Sequence, residues 1–164
     1  MVKFKPFSGI VTKISSFFTG DAELEGCMKL MEVKNRNGEI VNFVISPATY
    51  FVNSVVVEVG DGVTGFYDTN AATPLIYPPQ FRAIVMAKNS RNYNVKVDYF
   101  NELLESSDGT LRLNIARSTK LTMVNAQNIT GRITDRNLIV LYGPTTRSIP
   151  AQTTPYKIIV LCNM

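Results

Sequence analysis

An internal repeat limits the folds open to this chain more than any other feature of its sequence. The order of strand end, proline loop and apolar strand occurs after Tyr67 and again after Tyr142, and each loop carries a Pro-x-Gln triplet, at residues 78–80 and 150–152. The tyrosines are 75 residues apart and the triplets 72 residues apart. Because repeats diverge in length mainly within loops, the pattern indicates a unit of about 75 to 90 residues that has been copied head to tail.

The apolar positions of the third strand repeat as well. Residues 41–45 and 111–115 match at an offset of 70, whereas the neighbouring Asn-Gly and Asp-Gly turns match at 71. The choice matters because a slip of one residue reverses the faces of a strand. The strict alternation of apolar and polar residues in the second segment supports the offset of 70. In the fifth strand, Phe81 is expected to align with Tyr156 at an offset of 75. With this alignment the first unit has three more residues than the second before its Pro-x-Gln triplet and three fewer after it.

The repeat divides the 164 residues into two domains, residues 1–89 and 90–164, joined at the polar segment 89–92. A unit of this size buries a modest core by itself, so we expect the two to pack on each other. Apolar residues make up 45% of the chain, which favours folding throughout its length. No long apolar run follows the N-terminus as a signal or membrane segment would, and a cytoplasmic location is expected by default.

Short runs of branched and aromatic residues between turn residues predict five strands in each unit. In the first unit these are residues 7–14, 26–34, 39–45, 63–67 and 81–88, and in the second 94–100, a short strand near 103–104, 110–115, 137–142 and 156–162. An apolar-polar alternation at 120–124 adds a further segment. Gly65, inside the fourth strand, predicts a bulge or a tight bend. No long helix is expected, and Ser46-Pro47 starts one turn at most.

Five short strands, a wide connection after the third and the duplication favour an all-β fold of two tandem five-stranded Greek-key barrels of the OB type. A pair of SH3-like barrels and a single β-sandwich remain alternatives. Residues 138–144 and the Pro-x-Gln loop resemble those of small bacterial proteins of unknown function built from two OB-fold-like repeats, and residues 59–66 resemble the turn and strand of many OB folds. The resemblance implies the fold and no activity.

Histidine is absent from the sequence, which limits the chemistry open to the chain. Without it neither Ser-His nor Cys-His nucleophile pairs can form, and the sequence contains no phosphate-binding glycine loop or cluster of metal ligands. The two cysteines, Cys27 and Cys162, fall in predicted strands without C-x-x-C spacing and are expected to be buried free thiols. A disulfide between them is the less favoured alternative, because no secretion signal is found. We therefore expect a protein that is not an enzyme and holds no cofactor or metal.

Acidic residues cluster between the first and third strands of each unit and are the remaining candidates for catalysis. They are Asp21, Glu23, Glu25, Glu102, Glu105 and Asp108. Carboxylates without an identifiable acid-base partner seldom indicate an active site. The favoured interpretation is therefore a pair of solvated acidic loops that keep strand edges soluble.

The two proline loops lie between the fourth and fifth strands, and this connection grips ligands in many OB folds. The candidate ligand-binding residues there are Tyr77, Gln80, Arg82, Arg147, Gln152 and Lys157. In the alternative interpretation the prolines only shape a wide turn, the glutamines cap loop carbonyls and Tyr77 packs beneath the loop. The presence of the loop in both units fits either interpretation.

Basic residues are in excess only in the second unit. Residues 1–89 hold eight basic and eight acidic side chains, whereas residues 90–164 hold nine and five, which gives the net charge of +4. Aromatic side chains that could stack on nucleic-acid bases are Tyr93, Tyr99 and Phe100, with Arg91 and Lys96 as the nearby cations. The acidic loops oppose this interpretation because they would repel phosphate.

These observations favour a non-enzymatic binding or assembly module whose proline loops and exposed barrel faces contact a protein partner or a second copy of the chain. The alternative is binding of single-stranded nucleic acid or an oligosaccharide by the second unit. An enzyme is the least favoured of the three. No membrane interaction is expected, because no segment is apolar over a sufficient length.

Overall fold

The computed structural model describes residues 1–164 and confirms an all-β protein without long helices. It contains thirteen strands and two helical segments of three residues each, the 3-10 turns Ala22–Leu24 and Val52–Ser54. The chain divides into two compact units, Met1–Asn89 and Ser90–Met164. The division falls within the polar segment 89–92.

The first unit is one mixed sheet of seven strands. The strands are β1 (Phe4–Ser16), β2 (Lys29–Lys34), β3 (Ile40–Ile45), β4 (Tyr50–Phe51), β5 (Gly62–Asp68), β6 (Gln80–Arg82) and β7 (Val85–Lys88). Their order is β4-β7-β5-β1-β2-β3-β6, in which only β3–β6 and β4–β7 are parallel pairs. The predicted fifth strand is thus two strands, because the chain changes partners at Ala83 and Ile84, whose N–H groups donate to Val44 and Phe66.

The second unit has shorter sheets. Its strands are β8 (Asn94–Phe100), β9 (Leu111–Leu113), β10 (Lys120–Met123), β11 (Arg136–Tyr142), β12 (Ala151–Thr153) and β13 (Lys157–Val160). Four of them form a sheet in the order β10-β13-β11-β8, and β12 pairs separately with β9. The expected short strand near 103–104 is instead two single-residue bridges, Phe100–Ser106 and Glu105–Arg112, which link β8 to β9.

Strand pairing follows one order in both units. The parallel pairs β3–β6 and β4–β7 correspond to β9–β12 and β10–β13, and the antiparallel pairs β1–β5 and β5–β7 correspond to β8–β11 and β11–β13. A buried threonine hydroxyl makes the same bond in each unit: Thr49 donates to the Ala83 carbonyl at 2.9 Å, and Thr119 donates to the Pro155 carbonyl at 2.8 Å. The shared pattern includes side chains as well as the backbone.

The expected match of Phe81 with Tyr156 is wrong. The N–H of Ile84 donates to the Phe66 carbonyl, and the N–H of Tyr156 donates to the Leu141 carbonyl, at 2.9 and 2.8 Å. Tyr156 therefore corresponds to Ile84, and the offset of 72 set at the Pro-x-Gln triplets continues through the fifth strand. The difference in length between the units at this point lies wholly in the loop before the triplet.

Gly65 serves packing, which the prediction of a bulge or a tight bend missed. The pairings of β5 with β1 and β7 run through Gly65 without a shift, and the bulge of this sheet lies in β1, between Val11 and Lys13. The Phe43 ring lies directly against Gly65, so that a Cβ there would be 2.5 Å from the ring. The glycine makes room for the largest fully buried side chain of the unit.

Each unit encloses its own apolar core. The first core consists of Val11, Met31, Val33, Val41, Phe43, Ile45, Val63, Tyr67, Ala83 and Met86. The second consists of Phe100, Leu111, Leu113, Ile133, Leu138, Val140, Ile158 and Val160. In the first core Phe81 stacks on Tyr67, with ring centroids 3.9 Å apart. The alternating residues that predicted β3 and β9, and the apolar run that predicted β11, supply much of this buried surface.

The glycines of both predicted Asn-Gly and Asp-Gly turns have positive φ, 82° at Gly38 and 72° at Gly109.

The cysteine prediction is wrong in part. Both thiols are free but exposed, because Cys27 follows the first 3-10 turn and Cys162 follows the end of β13. The strands at these positions are shorter than the apolar pattern indicated, so neither side chain reaches a core.

Candidate functional site

The first proline loop, residues 69–79, holds large apolar side chains out in solvent. Its base is fixed by hydrogen bonds from the Thr69 N–H to the Lys3 carbonyl and from the Asn42 N–H to the Pro79 carbonyl, both 2.9 Å. Beyond this base Leu75 is fully exposed and Tyr77 is 83% exposed. The alternative in which Tyr77 packs beneath the loop is therefore wrong.

The second proline loop, residues 143–150, is held by its own hydroxyl groups. Thr146 exchanges hydrogen bonds with the backbone of Gln152, and the Ser148 hydroxyl donates to the Pro150 carbonyl at 2.8 Å. The Thr153 hydroxyl donates to the Pro144 carbonyl at 2.9 Å. At the apex Ile149 is 95% exposed. Both loops therefore present apolar side chains from a hydrogen-bonded base.

The Pro-x-Gln triplets open with cis peptide bonds, Tyr77–Pro78 and Ile149–Pro150. The glutamines that close them are half-buried in β6 and β12. The Gln152 side chain accepts a hydrogen bond from the Asn114 amide at 3.2 Å, so it contacts a side chain rather than a loop carbonyl.

The predicted binding residues separate into two groups. Tyr77 and Arg147 lie in the loops, whereas Gln80, Arg82, Gln152 and Lys157 lie in the strands that follow. Gln80 and Arg82 alternate with Phe81 along β6, so they share the face opposite the core. Lys157 begins β13, beyond the break in the strand, and is not on the same strand as Gln152. Sequence reasoning missed Leu75 and Ile149 as candidates for binding, although both are apolar residues within a proline loop.

The second unit also contains an open cleft with a volume of about 410 Å³. It is lined by Arg91, Asn92, Tyr93, Asn94, Gly143, Pro144 and Tyr156. The half-exposed Tyr156 ring lies over Gly143, where a Cβ would collide with it. An arginine, two tyrosines and two amides thus border one space. The Tyr-Gly-Pro sequence after β11 is the signal that could have indicated it.

Only part of the predicted stacking set lies at this cleft. Arg91 and Tyr93 line it, but the prediction for Phe100 is wrong because that ring is wholly buried in the core. Tyr99 is half-buried and donates its hydroxyl to Asp135 at 3.2 Å. Partial burial is the main cause that raises the pKa of Tyr99, and the nearby Asp135 carboxylate raises it further. Tyr99 is therefore engaged within its own unit.

Asp108 is exposed, as expected for the acidic loops, but its carboxylate is also held by hydrogen bonds. Its carboxylate accepts hydrogen bonds from the Lys96 ammonium and the Ser106 hydroxyl at 2.6 Å and from the Thr110 N–H at 3.1 Å. Burial alone would raise the pKa of Asp108, but these donors outweigh it and hold the pKa well below its usual range. In the first unit Asp21 caps the 3-10 turn by accepting from the Glu23 N–H. Both acids have structural roles.

Most cations of the second unit have no carboxylate partner. Lys96 pairs with Asp108 and Arg112 with Glu105, and the other seven basic residues form no ion pair. These seven are Arg91, Arg117, Lys120, Arg132, Arg136, Arg147 and Lys157. The positive charge noted in the sequence is therefore available at the surface of this unit.

No protein-family model, no curated protein and no solved structure matches the chain. Among the elements of the fold, no helix is both long enough and apolar enough to cross a bilayer.

Proposed function

We propose that the chain is a non-enzymatic binding or assembly module whose proline loops dock on a protein partner. The exposure of Leu75, Tyr77 and Ile149 on hydrogen-bonded loops is the observation that carries the proposal. When a partner covers exposed apolar surface, the complex is stabilised by about 25 cal/mol for each Å² removed from water. Loops that are ordered in advance also lose less entropy on binding. The partner surface suited to such loops is apolar, whether on another protein or on a second copy of the chain.

The proposal includes the architecture of each unit as an OB-like five-stranded barrel, and of the two units as copies. Residues 80–88 act as one broken fifth strand that pairs with β3 through β6 and with β5 through β7, while β1 pairs with β2 and β5. These neighbours agree with the strand order of a small closed Greek-key barrel. In that architecture the proline loops join the fourth and fifth strands, a position used for ligands.

A variant with the loop apices made polar tests this function. Leu75→Ser, Tyr77→Ser and Ile149→Ser would be combined, and a matched control would carry Val56→Ser and Val59→Ser, which are exposed apolar residues outside the loops. Self-association would be measured by sedimentation over a range of concentrations, and partner binding by affinity capture from the native cell extract. We expect both to weaken only in the loop variant. Equal behaviour of the two variants would refute the proposal.

A second candidate, binding of single-stranded nucleic acid or an oligosaccharide, is favoured by the cleft of the second unit. Tyr93 and Tyr156 could offer ring surface to a base or a sugar, and Arg91 offers a cation without an ion pair. Stacking on an aromatic ring contributes about 1 to 3 kcal/mol per base. The unpaired cations of this unit would add attraction for phosphates.

Salt dependence separates these ligands. Binding of mixed single-stranded oligonucleotides and of neutral oligosaccharides would be titrated at increasing salt, since only phosphate contacts release counterions. Arg147→Ala with Lys157→Ala should weaken oligonucleotide binding without unfolding the protein, whereas Lys5→Ala with Lys13→Ala removes the same charge from the first unit. The absence of oligonucleotide binding at low salt would exclude the nucleic-acid function. Sugar binding that ignores salt would favour the oligosaccharide.

A further inference from the structure

The first unit contains an open cleft with a volume of about 610 Å³, separate from its proline loop. It is lined by Ser8, Gly9, Ile10, Lys34, Asn35, Arg36, Asn37 and Asn89. The backbone of β1 lies so close to the end of β2 here that a Cβ on Gly9 would collide with the Lys34 carbonyl. The missing side chain lets the turn after β2 approach β1, and this turn carries the polar groups of the cleft.

The cleft is bordered by two basic side chains that have no carboxylate within salt-bridge distance. Neither Lys34 nor Arg36 forms an ion pair. Glu39, the carboxylate of the same turn, accepts instead from the Asn35 amide at 3.2 Å. Asn89 accepts from the Thr64 hydroxyl at 2.9 Å through its side-chain oxygen, and this leaves its amide N–H groups as donors. The Asn89 amide and the Lys34 and Arg36 cations are therefore the groups of this cleft that can bind an anion.

The corresponding place in the second unit holds an anion of its own. Gly9 pairs with Val63 in β5, and Asp98 pairs with Leu138 at the matching register of β11. Where the first unit has a glycine, the second thus has a carboxylate. The Asp98 side chain is buried, with a residue exposure of 8%.

Donors from the following turn hold the Asp98 carboxylate. It accepts from the Ser107 hydroxyl at 2.6 Å, from the Tyr99 N–H at 2.8 Å and from the Asp108 N–H at 3.3 Å. By the strand register, Lys34 and Asn35 occupy the places of Ser107 and Asp108. The first unit has therefore exchanged an internal carboxylate for a glycine, and a neutral serine for a lysine.

We propose that this cleft of the first unit binds a phosphate group from solution, held by the side chains of Lys34 and Arg36. Two positive side chains match the charge of a phosphate dianion, and the arginine fork suits its paired oxygens. A single carboxylate would neutralise only one of the two cations. The amide N–H groups of Asn89 could complete the hydrogen bonds, whereas the Ser8 hydroxyl already donates to the Thr64 hydroxyl at 2.7 Å.

The test uses the full chain and inorganic phosphate as the probe. Binding would be measured by calorimetry and by the ³¹P NMR shift, with chloride at the same ionic strength as the reference. We expect saturable binding with a Kd of about 1 mM or tighter. Lys34→Gln with Arg36→Gln should weaken it at least about tenfold, whereas Lys13→Gln with Lys29→Gln, two exposed lysines of the same unit, should not.

A nucleoside monophosphate tested in parallel distinguishes the source of the phosphate. Tighter binding of the nucleotide than of inorganic phosphate would assign the site to nucleotides or nucleic-acid ends, and equal binding would assign it to the free ion. Either result supports the site if it depends on Lys34 and Arg36. The proposal is overturned if neither probe binds saturably, or if the Lys34 and Arg36 variant binds as tightly as the lysine control. Circular dichroism of both variants would establish that they are folded.

Discussion

Gly65 is a position at which the first unit tolerates no side chain. The Phe43 ring fills the space where a Cβ would lie. We expect Gly65→Ala to lower the free energy of unfolding by about 1 to 3 kcal/mol, because the ring or the backbone must shift in a packed core. Urea denaturation measures the change. Gly131→Ala, at a glycine with open space around it, is the control and should be close to neutral; equal losses for both would refute the packing role.

Asp108 should make the stability of the protein depend on acid. Its pKa in the folded state lies below the ordinary value of 3.8, so between the two values the unfolded chain binds more protons. The stabilisation is present above about pH 4 and is lost as the pH falls further. Asp108→Asn should therefore lower the free energy of unfolding at neutral pH by about 1 to 2 kcal/mol. Its free energy of unfolding should then decrease less in acid than that of the native protein.

Denaturation by urea between pH 2 and pH 7 would measure this effect of Asp108, with both pH limits chosen to bracket the carboxyl pKa values. Glu102→Gln is the matched control, since Glu102 is exposed and makes no hydrogen bond. In acid, the free energy of unfolding of the control should fall with pH as steeply as that of the native protein. If the free energy of unfolding of Asp108→Asn falls equally steeply, another group is responsible for the acid dependence.

Residue types in the sequence identified special positions more readily than their roles. Gly65 stood out within a strand, but whether it forms a bulge or makes room for Phe43 depends on a side chain 22 positions away. Phe100 looked available for stacking because cations lie nearby in sequence, yet its ring belongs to the core. Exposure depends on the neighbours that the fold supplies, and these are remote in the chain.

The buried threonine that precedes β4 and β10 should stabilise each unit by a similar amount. Thr49 and Thr119 each donate a hydroxyl to a carbonyl at the break in the fifth strand. We expect Thr49→Val and Thr119→Val each to cost about 1 to 3 kcal/mol, because the carbonyl loses a partner away from water. Calorimetric unfolding would measure the loss. Thr130→Val, at an exposed residue, is the control, and a cost below that of the control at either site would contradict the expectation.

At the scale of elements, alternation located most strands and could not reveal their partners. Residues 94–100 were predicted as a strand and form β8 with the same bounds. The run 81–88 was predicted as one strand because most of its residues are apolar, but its hydrogen bonds go first to β3 and then to β5. A change of partner leaves no mark on local composition. The proline loops were found from their repetition, while the exposure of their apices required coordinates.

Each unit should unfold as a cooperative domain by itself, since its core contains only its own residues. We expect chains of residues 1–89 and of residues 90–164 to show separate sigmoidal transitions in urea. Tyrosine circular dichroism can follow both, because each unit contains buried or half-buried tyrosine. A chain of residues 1–79, which lacks β6 and β7, is the control and should not show one. A gradual, non-cooperative transition in both isolated units would contradict the expectation.

For the whole molecule, composition correctly located the excess of positive charge but not the groups that carry it. Lys96 and Arg112 are paired with acids, whereas seven other cations of the second unit are not. In the first unit the charges sum to zero, and yet Lys34 and Arg36 border a cleft without an acidic partner. Net charge is a sum over a surface, and ligands respond to its local arrangement.

The broken fifth strand also has a consequence for synthesis on the ribosome. In the first unit β6 and β7 come after every strand with which they pair, and β12 and β13 follow the same rule in the second. A nascent unit therefore emerges with the edges of β3 and β5 open until its last strands have been translated. Open edges pair readily with those of other chains. The interval before translation reaches residue 88 is thus when the first unit is most prone to misassembly between neighbouring polypeptides.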